Sequence, residues 1–220
     1  MALFPRSPLR GILTTRRLLV FSLLCSVSPT QALADDWQVV RSEFDPRLIG
    51  ELKDQVRRSP DDAGLLRRLC GLYRKHSSLE KLQAEQAAVA QKSGQASDVY
   101  LTALIAKERG QLDEASKLLE QAVQRGGIDE AKIALLQADL AQKKTPADVA
   151  LARKQLDRAL GLLTPSDARR KLVLRKQVDL ALQAGEQLEA EQKLQLLIQS
   201  SQGADAQRLR QERELLSRSG

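Results

Sequence analysis

Small and apolar residues recur at a fixed spacing after two glycines in the second half of the chain. They stand five, nine and twelve positions after Gly110, and again after Gly185. The residues are Ala115, Leu119 and Ala122 after the first glycine, and Ala190, Leu194 and Leu197 after the second. This spacing places each set on one stripe of an α-helix that begins just after the glycine. Because a helix cannot bury such a stripe alone, the recurrence predicts packing against other helices of a repeated unit.

Periodic segments separated by short breaks divide most of the chain into predicted helices. They span 46–58, 61–75, 78–92, 97–109, 111–125, 128–143, 147–163, 166–184, 186–200 and 204–217. Four predicted starts combine a capping residue with proline at the first helical position, where a missing amide costs no hydrogen bond. These starts are Asp45-Pro46, Ser59-Pro60, Thr145-Pro146 and Thr164-Pro165. No segment shows the sustained alternation of a strand, so the sequence predicts an all-α fold of antiparallel helix pairs.

The residues along these helices repeat in character as well as in spacing. In the first copy, Leu66, Leu69, Cys70 and Tyr73 form a large, large, small and aromatic series, and Leu79 and Leu82 follow on the next helix. Later copies carry Val99, Thr102, Ala103, Ala106, Gly110, Leu112, Ala115, Leu119 and Ala122, then Ala152, Leu156 and Ala159, then Leu174, Val178, Ala181, Gly185, Ala190, Leu194 and Leu197. The pattern resembles a tetratricopeptide repeat array, whose helix pairs recur about every 34 residues.

This resemblance implies an α-solenoid of about four repeats plus flanking helices. The array would occupy 46–202, with a C-terminal capping helix at 203–220. The chain departs from the family pattern, since only one copy keeps the tyrosine and none keeps the family's tryptophan. A non-repeating helical bundle that shares only the amphipathic periodicity is the alternative.

The N-terminus has the pattern of a secretory leader. Its arginines, Arg6, Arg10, Arg16 and Arg17, precede an apolar run over 18–27 that is too short to span a bilayer. The Ala32-Leu33-Ala34 triplet is a small-x-small cleavage site, which predicts a cleaved signal peptide at 1–34 and an extended lead-in at 35–45. We therefore expect export, to a bacterial periplasm or otherwise by secretion. An uncleaved anchor is the alternative, and the sequence does not choose between general secretory and twin-arginine export.

The leader also explains much of the basic composition. The full chain has 35 basic and 28 acidic residues, a net charge of +7, but the leader contributes four of the arginines and no acid. No dense run of Lys and Arg with interleaved aromatics remains, so we expect no nucleic-acid partner. After the leader Cys70 is the one remaining cysteine, which excludes an intrachain disulfide in the exported chain.

Catalytic and metal-binding constellations are sparse. The one histidine, His76, lies at a predicted turn between helices, so neither a metal cluster nor a nucleophile–histidine pair is indicated. Carboxylate pairs such as Asp61-Asp62 and Asp113-Glu114 fall in first turns, where they complement the helix dipole. We expect no cofactor, metal or catalytic residues, and no enzyme activity. A thiol-dependent enzyme using Cys70 is the remaining catalytic alternative.

The family resemblance implies that the first helix of each pair lines a concave groove. Carrying those positions over residue by residue places Arg67, Arg74, Lys75, Tyr100, Leu104, Lys107 and Arg175 in the groove, together with Leu182, and gives Leu135 and Lys143 as weaker candidates. Such a groove is basic with a few apolar positions, which suits an acidic peptide or protein segment. Family members that clamp a C-terminal carboxylate use groove asparagines, and this chain has no asparagine. These cations could equally be ordinary solvated side chains.

The sequence therefore favours an exported scaffold or adaptor that binds a peptide or protein partner in its concave groove. The alternative is a structural component of an envelope complex that assembles through its end helices or convex face. A homo-oligomer is compatible with both, and we expect no membrane span once the leader is removed.

Overall fold

The computed structural model describes residues 44–219, so the predicted leader and all but the end of the lead-in lie outside the described residues. The described residues form α-helices and no strand. The helices are α1 (Pro46–Arg58), α2 (Ala63–His76), α3 (Leu79–Ser93), α4 (Ala96–Glu108), α5 (Leu112–Arg125), α6 (Glu130–Lys143), α7 (Val149–Leu162), α8 (Arg169–Gln183), α9 (Gln187–Gln199) and α10 (Gly203–Ser219). None of these helices is long and apolar enough to cross a membrane.

Consecutive helices pack as antiparallel pairs. The closest packing is within the pairs α4/α5, α6/α7 and α8/α9, while α2 and α3 form a looser pair. Each first helix also packs on the second helix of the preceding pair, as α4 does on α3 and α10 on α9. Side chains join equivalent helices of successive pairs: Arg74 Nη2 lies 3.2 Å from Glu108 Oε2, and Lys176 Nζ lies 2.6 Å from Asp139 Oδ1. The predicted α-solenoid of helix pairs is therefore confirmed.

The glycine breaks are C-terminal caps. Gly110 has φ +78° and donates its amide to the carbonyl of Lys107, while the amide of the next residue, Gln111, reaches Ala106 at 3.0 Å. This pair of bonds is a Schellman motif, which needs a left-handed residue that glycine adopts without steric cost. Gly185, with φ +74°, repeats the same two bonds at the end of α8. The recurring glycines thus set the turn between the two helices of a pair.

Of the four helix starts predicted from a capping residue followed by proline, one is confirmed and three are wrong. Asp45 caps α1, with Pro46 as the first helical residue, as predicted. Pro60 instead lies in a turn closed by the Asp62 amide, which donates to the Ser59 carbonyl at 3.0 Å, and Asp62 caps α2. A proline at the second position of a turn has the φ that the turn requires.

The starts of α7 and α8 are displaced in the same direction. Asp148, rather than Thr145, caps α7, and its carboxylate accepts the Leu151 amide at 3.0 Å. Before α8, the Asp167 amide donates to the Thr164 carbonyl at 3.1 Å, so Pro165 also lies in a turn. The two helices begin two and three residues later than predicted, each after an aspartate that follows the proline.

The core runs the length of the array in three hydrophobic clusters. The first joins α1 to α6, the second joins α6 to α8, and the third joins α8 to α10. The predicted stripe of the second helices is buried throughout, with no exposed area at Ala115, Leu119, Ala122, Ala152, Leu156, Ala159, Ala190 and Leu194. The alanines allow the paired helices to approach closely, so the clusters depend on tight packing of small side chains.

Helix α10 shares one of two features with α8, the first helix of the preceding pair. It keeps the polar contact to the helix before it but not the buried apolar stripe. On α8, Gln177 bonds Asp157 of the preceding second helix at 2.7 Å, and on α10 Arg213 bonds Gln195 of α9 in the same way. The next stripe of α8 is apolar and buried: Leu174, Val178 and Ala181. The matching residues of α10 are Arg210, Glu214 and Ser217, all exposed. This stripe on the outer side of α10 is therefore polar.

Candidate binding concavity formed by α2, α4 and α6

The first helices α2, α4 and α6 enclose a concavity of about 540 Å³. Its apolar floor consists of Leu66, Tyr100, Leu104, Leu135 and Leu136. Tyr100 and Leu104 lie one turn apart on α4, the helix in the middle, and are 4% and 7% exposed. Such a mostly apolar depression with a few polar groups at its edge is typical of a binding site.

Tyr100 is held in place by polar contacts from both neighbouring helices. Its hydroxyl donates to Asp61 Oδ1 at 3.2 Å, just before α2, and burial raises the pKa of Tyr100 to about 12. The Lys132 ammonium of α6 lies 4.9 Å from the Tyr100 ring centre and forms an ion pair with Asp61. Burial, together with the charge of Arg169, lowers the pKa of Lys132. These contacts connect α2, α4 and α6 across the concavity.

Three carboxylates line the concavity, and each is already paired. Asp61 pairs with Lys132, Glu108 with Arg74, and Asp139 with Lys176. The lining of the concavity therefore contains carboxylates as well as the cations that the sequence predicts. The carboxylates come from different repeats, and their partners were not apparent from the alignment of one helix pair with another.

Two cations of the concavity have no carboxylate partner among the described residues. Arg67 of α2 uses its Nε to bond the Ala63 carbonyl of its own helix at 3.0 Å, and its side chain is otherwise exposed. Lys107 follows Leu104 by three residues on α4 and lines the same depression. The unpaired charge at the edge of the apolar floor is therefore positive.

The structure brings together four of the predicted groove residues. Arg67, Tyr100, Leu104 and Lys107 line the concavity, and Leu135, a weaker candidate, lies on its floor.

Three other candidates lie elsewhere. Arg74 points to the end of α4, where it donates to the Glu108 carbonyl at 3.0 Å. Lys75 is exposed at the last turn of α2, outside the concavity. Arg175 lies near the C-terminal end, because Glu212 of α10 accepts its Nη1 at 2.7 Å. The shared helical position therefore did not ensure a shared surface.

Sequence reasoning missed Lys132 and Asp139 of α6. Asp139 occupies the position of Leu104 when α6 is aligned on α4 through its buried alanines, so the repeat alignment could have found it. Lys132 lies at the start of α6 and reaches the concavity only because it extends to Asp61. No spacing rule in the sequence indicates that contact.

Cys70 and His76 are the other two residues that the sequence offered for catalysis or metal binding. Cys70 has no exposed area, and burial raises its pKa to about 11, which disfavours the reactive thiolate. His76 lies at the end of α2, with its ring 5.5 Å from that of Phe44. In the part of the chain that the structure describes, no three His, Cys, Asp or Glu side chains are grouped to hold a metal ion.

The described residues form a helical repeat protein built from consecutive antiparallel helix pairs. No protein-family model matches the sequence, and no curated protein matches it. Among solved structures, it is similar to YrrB, described as a tetratricopeptide repeat protein with an unusual peptide-binding site. The two are 15% identical, the similarity covers 68% of this chain and 74% of that chain, and the TM-score is 0.44.

Proposed function

We propose that this chain is an exported scaffold that binds an extended segment of a partner protein in the concavity of α2, α4 and α6. The observation that carries the proposal is an apolar floor beside two cations, Arg67 and Lys107, that have no carboxylate partner within residues 44–219. A bound carboxylate would supply the missing counter-charge through charge-assisted hydrogen bonds. The expected ligand therefore places an acidic residue beside a large apolar one.

The carboxylates of the concavity help to define this ligand. Because Asp61, Glu108 and Asp139 are paired with cations of the chain, they do not offer free charge to a basic segment. A basic ligand would have to displace one of these pairs, whereas an acidic ligand needs no displacement. Electrostatic complementarity of this kind contributes to specificity and to the rate of association.

Charge reversal in the concavity tests the proposal. Peptides selected from a random display library on the purified chain are expected to be enriched in acidic and large apolar residues. The double variant Arg67→Glu, Lys107→Glu should bind them about tenfold more weakly or worse, because like charges then face each other. Fluorescence anisotropy with labelled peptides measures the dissociation constants.

The control is Lys92→Glu, Lys154→Glu, which makes the same change in net charge at exposed positions of α3 and α7. Its affinity should match that of the unchanged chain. Selected peptides without acidic residues, or equal binding by the groove variant and the control, would remove the concavity as the site.

Export is supported by the leader pattern alone. If the leader is cleaved after Ala34, N-terminal sequencing of the protein from a cell-envelope fraction should begin at Asp35. Recovery of the intact N-terminus from the cytoplasm would contradict this part of the proposal and leave the binding site untouched. Proximity labelling in the same cells would identify the partner.

The second candidate function is a structural component that assembles through its end helices. The specific observation in its favour is exposed apolar area near the C-terminal end, where Leu188 is 72% exposed and Leu196 is 44% exposed. Assembly there and peptide binding in the concavity use different surfaces and can be tested separately.

A further inference from the structure

Helix α9 differs from the earlier second helices on its outward face. When α5, α7 and α9 are aligned on their buried stripes, Leu188 matches Asp113 and Ala150, and Leu196 matches Gln121 and Arg158. All six side chains are exposed, yet of these three helices only α9 carries large apolar residues at both positions. An exposed pair of leucines two turns apart on one helix is a feature of interaction surfaces rather than of solvated convex faces.

These leucines border an open groove between α9 and α10. The groove has a volume of about 580 Å³ and is lined by Leu188, Glu191, Gln192, Gln195, Leu196, Arg213 and Ser217. We call this surface the terminal patch.

In the preceding repeat, two charged side chains of α9 reach the equivalent positions on α7. There Arg153 Nη1 lies 3.6 Å from Glu189, and Lys193 lies 3.8 Å from Asp157. Within the described residues no helix covers the terminal patch.

The terminal patch carries charges of both signs. Glu191 forms no ion pair with another described residue, and Arg213 bonds the neutral amide of Gln195 rather than a carboxylate. A two-fold axis that passes midway between Glu191 and Arg213 would place Glu191 of each copy opposite Arg213 of the other, which gives two such pairs. Such self-complementarity is what an isologous interface requires.

We propose that two copies of the chain associate about a two-fold axis through their terminal patches. Leu188, which projects furthest, packs into the α9/α10 groove of the other copy, and Glu191 and Arg213 pair across the interface. The polar outer stripe of α10, Arg210, Glu214 and Ser217, disfavours the other obvious arrangement, in which a foreign helix completes a fifth pair. The concavity of α2, α4 and α6 stays open in the dimer, so this association does not depend on peptide binding.

The size of the apolar surface sets the expected strength. Two exposed leucines per copy form a small interface, and protein interfaces below about 1,200 Å² in total are weak and transient. We therefore expect a reversible dimer with a dissociation constant in roughly the micromolar range.

Sedimentation equilibrium of the purified chain tests the proposal. The unchanged chain should shift from monomer to dimer as its concentration rises through the micromolar range. Leu188→Glu should raise the dissociation constant at least about tenfold, since it removes the largest exposed apolar side chain of the patch and places a second carboxylate near Glu191. Lys154→Glu, at an exposed α7 position matching Gln192, is the control and should dimerise normally.

A charge swap distinguishes direct pairing from damage to the fold. Glu191→Arg and Arg213→Glu should each weaken the dimer, and the double variant should restore it, because the pair then forms with reversed polarity. Circular dichroism should show unchanged helix content in all variants. A chain that stays monomeric at high micromolar concentration, a dimer insensitive to Leu188→Glu, or a double variant no better than the single ones would each overturn the proposal.

Discussion

Replacing Leu119 by alanine is expected to lower the free energy of unfolding by about 2–5 kcal/mol. Leu119 has no exposed area and lies in α5, within the cluster that also contains Ile105 of α4 and Ile133 of α6. Removing the three carbons beyond Cβ leaves a cavity among three helices that are already fixed by their other contacts. Urea denaturation followed by far-ultraviolet circular dichroism measures the change.

The matched control is Leu162→Ala, the same substitution at the last residue of α7. Leu162 is 47% exposed, so its loss should cost less than about 1 kcal/mol. Because a repeat array is stabilised by contacts between neighbouring repeats, the Leu119 variant should lose protection from hydrogen exchange first in α4 to α6. Equal destabilisation by the two variants would contradict the packing described for α5.

The helices could be read from the sequence because their causes are local. The stripe of small and apolar residues after Gly110 and Gly185 reflects helical periodicity, and the glycines themselves are needed for the left-handed caps. The proline starts failed because two local explanations compete. At Pro60 and Pro165, a proline fits both the first turn of a helix and the second position of a β-turn. Before α2 and α7, the following aspartates, Asp62 and Asp148, supply the cap instead of the residues before the prolines.

The sequence predicted several residues that line the concavity, but not which of its charged side chains are paired. Helical position placed Arg67, Tyr100, Leu104 and Lys107 on the inner side, and the structure brings all four together. Whether a charge is free, however, depends on a partner from another repeat. Lys132 reaches back to Asp61 across an entire intervening repeat. No pattern within one repeat indicates such a pairing. The sequence suggested a basic groove, whereas the described part of the chain has three ion pairs there and two cations without a carboxylate partner.

The packing of α6 on α7 leads to the second large prediction. The facing stripes of these helices are rich in alanine: Ala131, Ala134, Ala138 and Ala141 on α6, and Ala152 and Ala159 on α7. Ala138→Leu adds three carbons where the side chain has no exposed area, and the resulting overpacking should cost about 1–3 kcal/mol. Differential scanning calorimetry and urea denaturation measure the loss.

The same variant tests how the two ends of the array are coupled. The cluster of α6 to α8 lies between the N-terminal and C-terminal clusters, so separating α6 from α7 should weaken cooperativity and broaden or split the unfolding transition. Ala150→Leu, an identical change at an exposed position of α7, should leave both the stability and the transition nearly unchanged. If Ala138→Leu behaves like this control, α6 and α7 can move apart without a loss of stability. The small side chains would then not set the distance between these two helices.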